Sequence, residues 1–274
     1  MSGVIIIGAG LFGAVARDLL RARGIPCVVV DDQRPLRGSF PAGCLMKPSW
    51  LSGLGKDREG AMALLDELYG LKKIPMRVGD SFLKFDTITH VSPSQILKDP
   101  DIVGKVVSVN PQIGEVLFED GTYLNADVVL VAAGVWCAEL LPEHFSGVKL
   151  EGLQGASLRA RGEMPEARLA IWAPYKQSVG FEIEPGTIWF GDGTALKPSS
   201  WKDHHTVRVV DHARDVGIAA HQIDEVRFGL RPYVRGKTGW FERAGSRCWV
   251  STGGAKNGVA LAASQALKFF AAIK

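Results

Sequence analysis

Two short apolar runs near the N-terminus, Val4–Ile7 and residues 27–30, have the length and continuity of strands buried on both faces. Between them, apolar side chains recur at helical spacing, with Val15 and Leu19 on one face. Gly24 follows as a residue that ends a helix. The pattern predicts a strand, a helix and a second strand parallel to the first.

The same patterns extend along the rest of the chain. They predict a helix over 56–69, a pair of strands within 76–90, a brief helix at 95–97, and short strands at 105–110, 115–118 and 123–124. A continuous apolar run, 127–133, predicts a second central strand that ends at Gly134 near the first glycine turn. Residues 33–50, rich in Pro and Gly, are expected to form a loop.

The middle of the chain has a different character. Runs at 156–159, 180–183 and 188–191 favour a mostly antiparallel sheet, and a helix is expected over 206–216. The C-terminal end returns to the opening style with a strand at 248–251, the turn TGGAKNG and an apolar helix over 259–273. We therefore predict an α/β fold with a discontinuous Rossmann-type domain (1–48, 92–147 and 226–274) and an inserted, mostly antiparallel β domain (49–91 and 148–225).

The first turn has the spacing G-x-G-x-x-G between strand and helix. Gly8 allows the tight turn, Gly10 the approach of a pyrophosphate, and Gly13 close packing of helix on strand. The helix N-terminus offers amide donors and the positive end of its dipole to phosphates. Asp31, at the end of the second strand, is placed to accept hydrogen bonds from a ribose diol. The unit predicts dinucleotide binding rather than a structural glycine turn.

Composition changes this picture little. With 274 residues, 46% apolar and 22% charged, the chain is long enough to bury a core without disulfides. A net charge of +3 permits a polyanionic partner without requiring one. The cysteines are scattered and the histidines lack ligand spacing, so no disulfide framework and no metal site are expected. The chain shows no leader and no run of membrane length, so a cytoplasmic protein is expected.

Six motifs in order along the chain carry a resemblance: IIIGAGLFG with Asp31, SFPAGCL, ADVVLVAAGVW, TALKPSSW, GLRPY and TGGAKNGVALA. Together they are similar to the D-amino-acid oxidase-like flavoproteins, above all to the glycine oxidase branch and to the flavin domain of the enzymes that modify the wobble uridine of transfer RNA. The resemblance implies non-covalently bound FAD in the first domain and a substrate held between the flavin and the antiparallel sheet. NAD-linked dehydrogenases share the opening fingerprint but lack the later motifs.

The resemblance also implies the residues that bind FAD. It places Leu11 and Phe12 at the pyrophosphate, Asp31 and Asp32 at the ribose, where relatives commonly have Glu, and the backbone of Val106 at the adenine. Cys44 matches a backbone-contact loop better than a covalent anchor. The full expected set is Gly8, Gly10, Leu11, Phe12, Gly13, Asp31, Asp32, Gly38, Ser39, Ala42, Gly43, Cys44, Val106, Gly134, Gly254, Ala255, Lys256, Asn257, Gly258 and Val259.

Few protein groups are needed for chemistry when a flavin is the electron acceptor. By resemblance, Arg231 grips the substrate carboxylate, and its planar fork suits that task. Lys256 stands where glycine oxidases have a second arginine, so it keeps the charge without the bidentate geometry. Leu196 and Trp172 match the lining of the substrate site. A helix beginning after Asn257 would direct its positive end at the flavin.

The chain departs from the family between Ser39 and residue 91, where it is shorter than usual. An open site would admit a bulky amine, and the run 227–247 is rich in Arg and Lys. Three hypotheses follow: an oxidase of glycine-type primary or secondary amines giving glyoxylate and a free amine, an oxidase of a glycine-bearing nucleobase, and a flavin-binding subunit of a larger complex. The expected partner is thus a small amine with a carboxylate or a glycine-modified nucleobase. Nucleic acid and a further copy of the chain are possible partners, and no membrane association is expected.

Overall fold

The computed structural model describes residues 3–78, 85–163, 168–172, 176–191, 193, 203–215, 217–254 and 257–274. The α-helices in this part are α1 (Leu11–Ala22), α2 (Asp57–Tyr69), α3 (Pro93–Ile96), α4 (Cys137–Leu140), α5 (Asp203–Asp215) and α6 (Gly258–Ile273). The 3-10 helices are Pro48–Leu54, Gly134–Trp136 and Ala220–Gln222. The strands are β1 (Val4–Ile7), β2 (Cys27–Asp31), β3 (Leu45–Met46), β4 (Lys72–Val78), β5 (Phe85–His90), β6 (Ile102–Val103), β7 (Val106–Asn110), β8 (Glu115–Phe118), β9 (Tyr123–Asn125), β10 (Val128–Val131), β11 (Leu150–Arg161), β12 (Arg168–Trp172), β13 (Lys176–Glu184), β14 (Thr187–Gly191), β15 (Ile223–Val234), β16 (Gly239–Arg243) and β17 (Cys248–Gly253).

The first sheet has the order β16-β17-β10-β1-β2-β6, and its neighbours run parallel except for the β16–β17 hairpin. The apolar run of β1 is buried on both faces, as predicted. Val4 and Ile6 contribute to one core with α1, α2 and α6, whereas Ile5 and Ile7 contribute to a second core with α4 and the β7–β8–β9 meander. Gly24 follows α1 with a φ of 73°, as expected of a residue that ends a helix.

The second sheet has the order β15-β11-β14-β13-β12-β4-β5-β3. Its pairs are antiparallel except for β4 with β12, so the expected mostly antiparallel sheet is confirmed. Apolar residues on one face of the sheet, including Leu158 and Phe190, form a separate core with Val209 and Ala213 of α5. The opposite face of the second sheet is therefore available to contact the domain that contains the first sheet.

Two expected domain boundaries divide the second sheet between the expected domains. The boundary at 226 cuts β15, which pairs along its whole length with β11, and β3 lies in this sheet although it precedes residue 49. The expected strand at 156–159 is part of the 12-residue β11. We therefore propose that the last segment of the nucleotide domain begins after Val234.

The two units meet at the loop that follows β2. The carbonyl of Leu36 accepts a hydrogen bond from Leu230 N at 2.8 Å, and Arg37 forms a parallel bridge with Leu230. A Cβ at Gly38 would overlap the Leu230 carbonyl, so this approach requires glycine. The loop after β2 is thus fixed directly against the second sheet.

Candidate active site

The glycine turn between β1 and α1 has the geometry that its spacing predicts. Gly8 has a φ of 107°, and a Cβ there would lie 2.5 Å from the carbonyl oxygen of Ala132 on the neighbouring β10 loop. A Cβ at Gly13 would overlap the carbonyl of Gly8, so α1 can pack this closely only with glycine at that position. Both residues therefore act through packing, and Gly13 does not itself line the cavity described below.

The N-terminus of α1 opens toward the loop after β2. The hydroxyl of Ser39 accepts a hydrogen bond from Leu11 N at 2.9 Å, and the first bond back into the helix runs from Ala14 N to the Gly10 carbonyl. The amides of Phe12 and Gly13 precede that first intrahelical bond and are among the donors that a helix end leaves for an anion. The helix end is therefore suited to a phosphate, with Ser39 beside it.

Asp31 ends β2 with a carboxylate that is already hydrogen-bonded. Its Oδ2 accepts from Ala9 N at 2.7 Å and its Oδ1 from Gln33 N at 2.6 Å, while Arg37 Nη1 lies 3.5 Å from Oδ1. Asp31 thus connects the glycine turn to the following loop. A carboxylate offers about four lone-pair positions, so capacity remains for a ribose hydroxyl, and the ribose role stays a prediction.

A group of charged side chains borders the same end of the site. Arg34 forms ion pairs with Asp32 and, at 3.0 Å, with Glu139, and its guanidinium lies 5.3 Å from the centre of the Trp136 ring. Asp32 is therefore paired with Arg34 and remains partly exposed. Arg34 and Trp136 are site residues that the sequence reasoning missed.

Helix α6 begins at the opposite end of the site. Gly253 and Gly254 have positive φ values, Asn257 adopts a left-handed conformation as N-cap, and its side-chain amide donates to the carbonyl of Trp50. The helix starts at Gly258, which confirms the predicted start after Asn257. Its N-terminus lies at the cavity wall, so the positive end of its dipole acts within the cavity.

These elements enclose a cavity of about 440 Å³. The expected cofactor and substrate residues that line it are Gly8, Gly10, Leu11, Phe12, Asp31, Asp32, Gly38, Ser39, Ala42, Gly43, Cys44, Val106, Gly134, Arg231, Gly254, Asn257, Gly258 and Val259. The backbone of Trp172 lies in β12, but its side chain lies outside the described part of the chain, as do Leu196, Ala255 and Lys256. The helix end, the glycine turns and the length of the lined surface suit a dinucleotide.

Arg231 projects from β15 into the cavity and lies flat along the sheet. A Cβ on Gly155 of the neighbouring β11 would be 2.5 Å from Arg231 Nη2 and 2.7 Å from its Cζ and Nε. The guanidinium therefore occupies the space that the missing side chain leaves. A planar, half-buried guanidinium at the cavity surface is suited to a carboxylate.

The apolar wall of the cavity was not predicted. Trp50 and Val179 both pack against Ile88 and line the cavity, and Trp189 of β14 lines it from the substrate sheet. The indole N–H of Trp189 donates to the carbonyl of Pro41 at 3.1 Å. The signal in the sequence was a tryptophan, Trp189, two residues before Gly191 in an expected strand. Its hydrogen-bond partner, Pro41, is distant in sequence, so the pattern alone did not reveal the contact.

All four cysteines are free thiols. Cys44 lines the cavity, and burial raises its pKa to about 12. Burial likewise raises the pKa of both Cys137 and Cys248 to about 12. The Cys44 thiol is therefore protonated and weakly nucleophilic near neutral pH.

The run 227–247, which is rich in Arg and Lys, does not gather its cations along the cavity wall. Of its cations only Arg231 lines the cavity. Arg227 pairs with Glu225 at 2.7 Å, and Arg243 donates to the carbonyls of Gly245 and Ser246. Arg227 and Arg243 are thus bonded to groups close to them in sequence. In the described part of the chain, His, Cys, Asp and Glu form no cluster able to hold a metal, and no helix there is long and apolar enough to cross a membrane.

No family profile and no curated protein sequence match this chain. Among solved structures, glycine oxidase from Bacillus cereus is similar at a TM-score of 0.74 and 15% identity, over 100% of this chain and 95% of that chain. Iminodiacetate oxidase from Chelativorans sp. is similar at 0.69 and 16% identity, over 96% and 93%. Glycerol-3-phosphate dehydrogenase from Bacillus halodurans, complexed with FAD, is similar at 0.65 and 14% identity, over 99% and 64%. The chain therefore has the fold of these oxidoreductases, and the predicted resemblance is confirmed at the level of the fold.

Proposed function

We propose that this protein is an FAD-dependent oxidoreductase that oxidises the C–N bond of a small, carboxylate-bearing amine, of glycine type. One observation carries the proposal: the guanidinium of Arg231 lies in the same cavity as the glycine turn before α1 and the N-terminus of α6. A carboxylate anchored at Arg231 would therefore lie next to the position of a nucleotide cofactor. Solved structures of the same fold include amino-acid oxidases and a complex with FAD.

The residues present fit FAD. The end of α1, with the amide of Phe12 and the Ser39 hydroxyl, would bind the pyrophosphate, and Asp31 and Val106 would face the adenosine. Gly43, Cys44 and the turn before α6 would surround the ring system. The raised pKa of Cys44 supports non-covalent binding, because the thiolate needed for covalent attachment is disfavoured near neutral pH.

Bound FAD would supply the electron acceptor for the hydride that leaves the substrate's α-carbon. The protein's own part is orientation. Arg231 would fix the carboxylate by charge-assisted hydrogen bonds, and Trp50, Val179 and Trp189 would exclude water from the neighbouring space. The positive end of α6 would favour negative charge developing in the cavity. The imine product would then hydrolyse to glyoxylate and a free amine.

The proposal is tested with a panel of amines under anaerobic conditions. FAD-loaded protein is mixed with glycine, sarcosine, iminodiacetate, proline and a glycine-bearing nucleoside, and the flavin absorption is followed. We expect bleaching by at least one small carboxylate-bearing amine. Flavin that remains oxidised with every member refutes the proposal.

The two other hypotheses have distinct outcomes in the same panel. Bleaching by the nucleoside alone would select oxidation of a glycine-bearing nucleobase, although the described cations of the 227–247 run do not form a phosphate-binding surface at the cavity. A flavin-binding subunit of a larger complex would bind FAD tightly and show no bleaching with any amine until a larger partner chain is added.

A further inference from the structure

Two long side chains lie flat on the cavity face of the substrate sheet, each over a glycine. The guanidinium of Arg231 covers Gly155 of β11, and the indole of Trp189 covers Gly191 of its own strand. A Cβ at Gly191 would lie 2.5 Å from Cη2 of the indole. β14 and β15 are the two neighbours of β11 in the sheet, and Trp189 pairs with Arg159 of that strand whereas Arg231 pairs with Leu153. The two side chains extend along the sheet toward each other, the indole over Gly191 and the guanidinium over Gly155. Both line the same cavity, on either side of β11.

The loop after β2 packs against the same indole. A Cβ at Gly43 would lie 2.9 Å from each of three carbons of the Trp189 ring. The ring nitrogen is fixed as well, because it donates to the carbonyl of Pro41 at 3.1 Å. The indole is therefore enclosed between the sheet and the loop, and its thickness determines how closely the two approach.

Neighbouring rings hold the indole in this position. Phe181 of β13 lies 5.6 Å from Trp189 between ring centres, and the ring of His90 contacts Phe181 edge-on at 4.7 Å. Phe181 is buried and does not line the cavity. Trp189 is the member of this cluster that reaches the cavity, so the cluster presents a rigid aromatic edge beside Arg231.

From this geometry we infer that Trp189 determines the size of the substrate. Its indole fixes the separation between the loop after β2 and the sheet, and limits the room beside Arg231 to a carboxylate whose α-carbon bears little or no side chain. The inference rests on the proposed function, since it takes Arg231 as the carboxylate ligand. It gives a common purpose to the guanidinium over Gly155 and the indole over Gly191, which would bind the carboxylate and limit the size of its substituent.

The test measures ligand size directly and does not need turnover. FAD-loaded protein is titrated with acetate, propionate, isobutyrate and pivalate, which add methyl groups at the α-carbon, and binding is read from the change in the flavin absorption band. The wild type should bind acetate and propionate and discriminate against pivalate. In W189V the pivalate-to-acetate affinity ratio should rise by at least about tenfold, because a single methylene changes selectivity by roughly 10- to 200-fold. W189F, which keeps a six-membered ring, should give an intermediate ratio even if W189V fails to fold.

Phe181→Leu is the matched control, because it removes a ring that holds Trp189 but does not line the cavity. It should lower stability and change the pivalate-to-acetate affinity ratio by less than W189V does. An unchanged affinity ratio in W189V or W189F, with acetate still bound, overturns the inference alone. Failure of the wild type to bind any of the four carboxylates, or equal binding by R231L, overturns the proposed function and the inference together.

Discussion

Gly155→Ala should disable the carboxylate site without removing any of its functional groups. The new Cβ would lie 2.5 Å from Arg231 Nη2, whereas ordinary contact begins at 3.4 Å, so the guanidinium has to move by about 0.9 Å. Displacements of about 1 Å in a positioning group can cost on the order of 100-fold. We therefore expect the apparent dissociation constant of the amine to rise by about 10- to 100-fold, measured from flavin reduction rates against substrate concentration.

The fold should tolerate this change. Gly155 does not have a positive φ, and the group that must move is the end of a flexible side chain. Unfolding free energy should therefore stay within about 1 kcal/mol of the wild type, and FAD should remain bound. Gly152→Ala on the same strand is the control, since its Cβ would meet Leu230 and Val135 at an ordinary 3.4 Å. A folded Gly155→Ala variant with the substrate affinity of Gly152→Ala would refute the role given to Arg231.

Three further predictions concern stability. Gly8→Ala should lower the unfolding free energy by about 3 kcal/mol or more and abolish FAD retention, because φ is 107° and the Cβ would meet the Ala132 carbonyl; a urea midpoint like the wild type's would contradict this. Burial lowers the pKa of His90 from 6.5 to about 4, so the unfolding free energy should decline as pH drops from 6.5 toward 4. The decline should be shallower in His90→Leu. Equal slopes of unfolding free energy against pH in the two proteins would refute this assignment. Burial raises the pKa of the Cys44, Cys137 and Cys248 thiols from 9.0 to about 12, so the unfolding free energy should fall as pH rises from 9 toward 12. A variant with all three cysteines replaced by Ala should lose less stability over this range. The same dependence of unfolding free energy on pH in that variant would oppose the assignment.

The opening unit was predictable because its signals are local. A strand buried on both faces, three glycines with separate steric tasks and an amphipathic helix lie within one short stretch, and β1, α1 and β2 formed as expected. The start of α6 after Asn257 was readable for the same reason. Each depends on neighbours in sequence rather than on the rest of the fold.

The substrate side was less predictable because its contacts are distant in sequence. The strand β15 contains Gly229, Pro232 and several charges, so its pattern lacked the alternation that marks a strand, and its pairing with β11 supplies the missing order. Trp189 acquires its role from Pro41 and Gly43, far earlier in the chain. The resemblance to a family predicted Arg231 at the substrate carboxylate, but only the fold shows that Gly155 leaves room for its guanidinium.

The central claim is that this cavity holds an amine by its carboxylate at Arg231 for oxidation by FAD. Anaerobic rapid mixing of FAD-loaded protein with the amine that bleaches it best gives a limiting reduction rate and an apparent dissociation constant. Arg231→Leu should keep FAD bound and raise that constant by at least about 10-fold, since hydrogen bonds to a charged group contribute about 1.5–3 kcal/mol. A wild type whose flavin stays oxidised, or an Arg231→Leu variant with unchanged affinity, would contradict the claim.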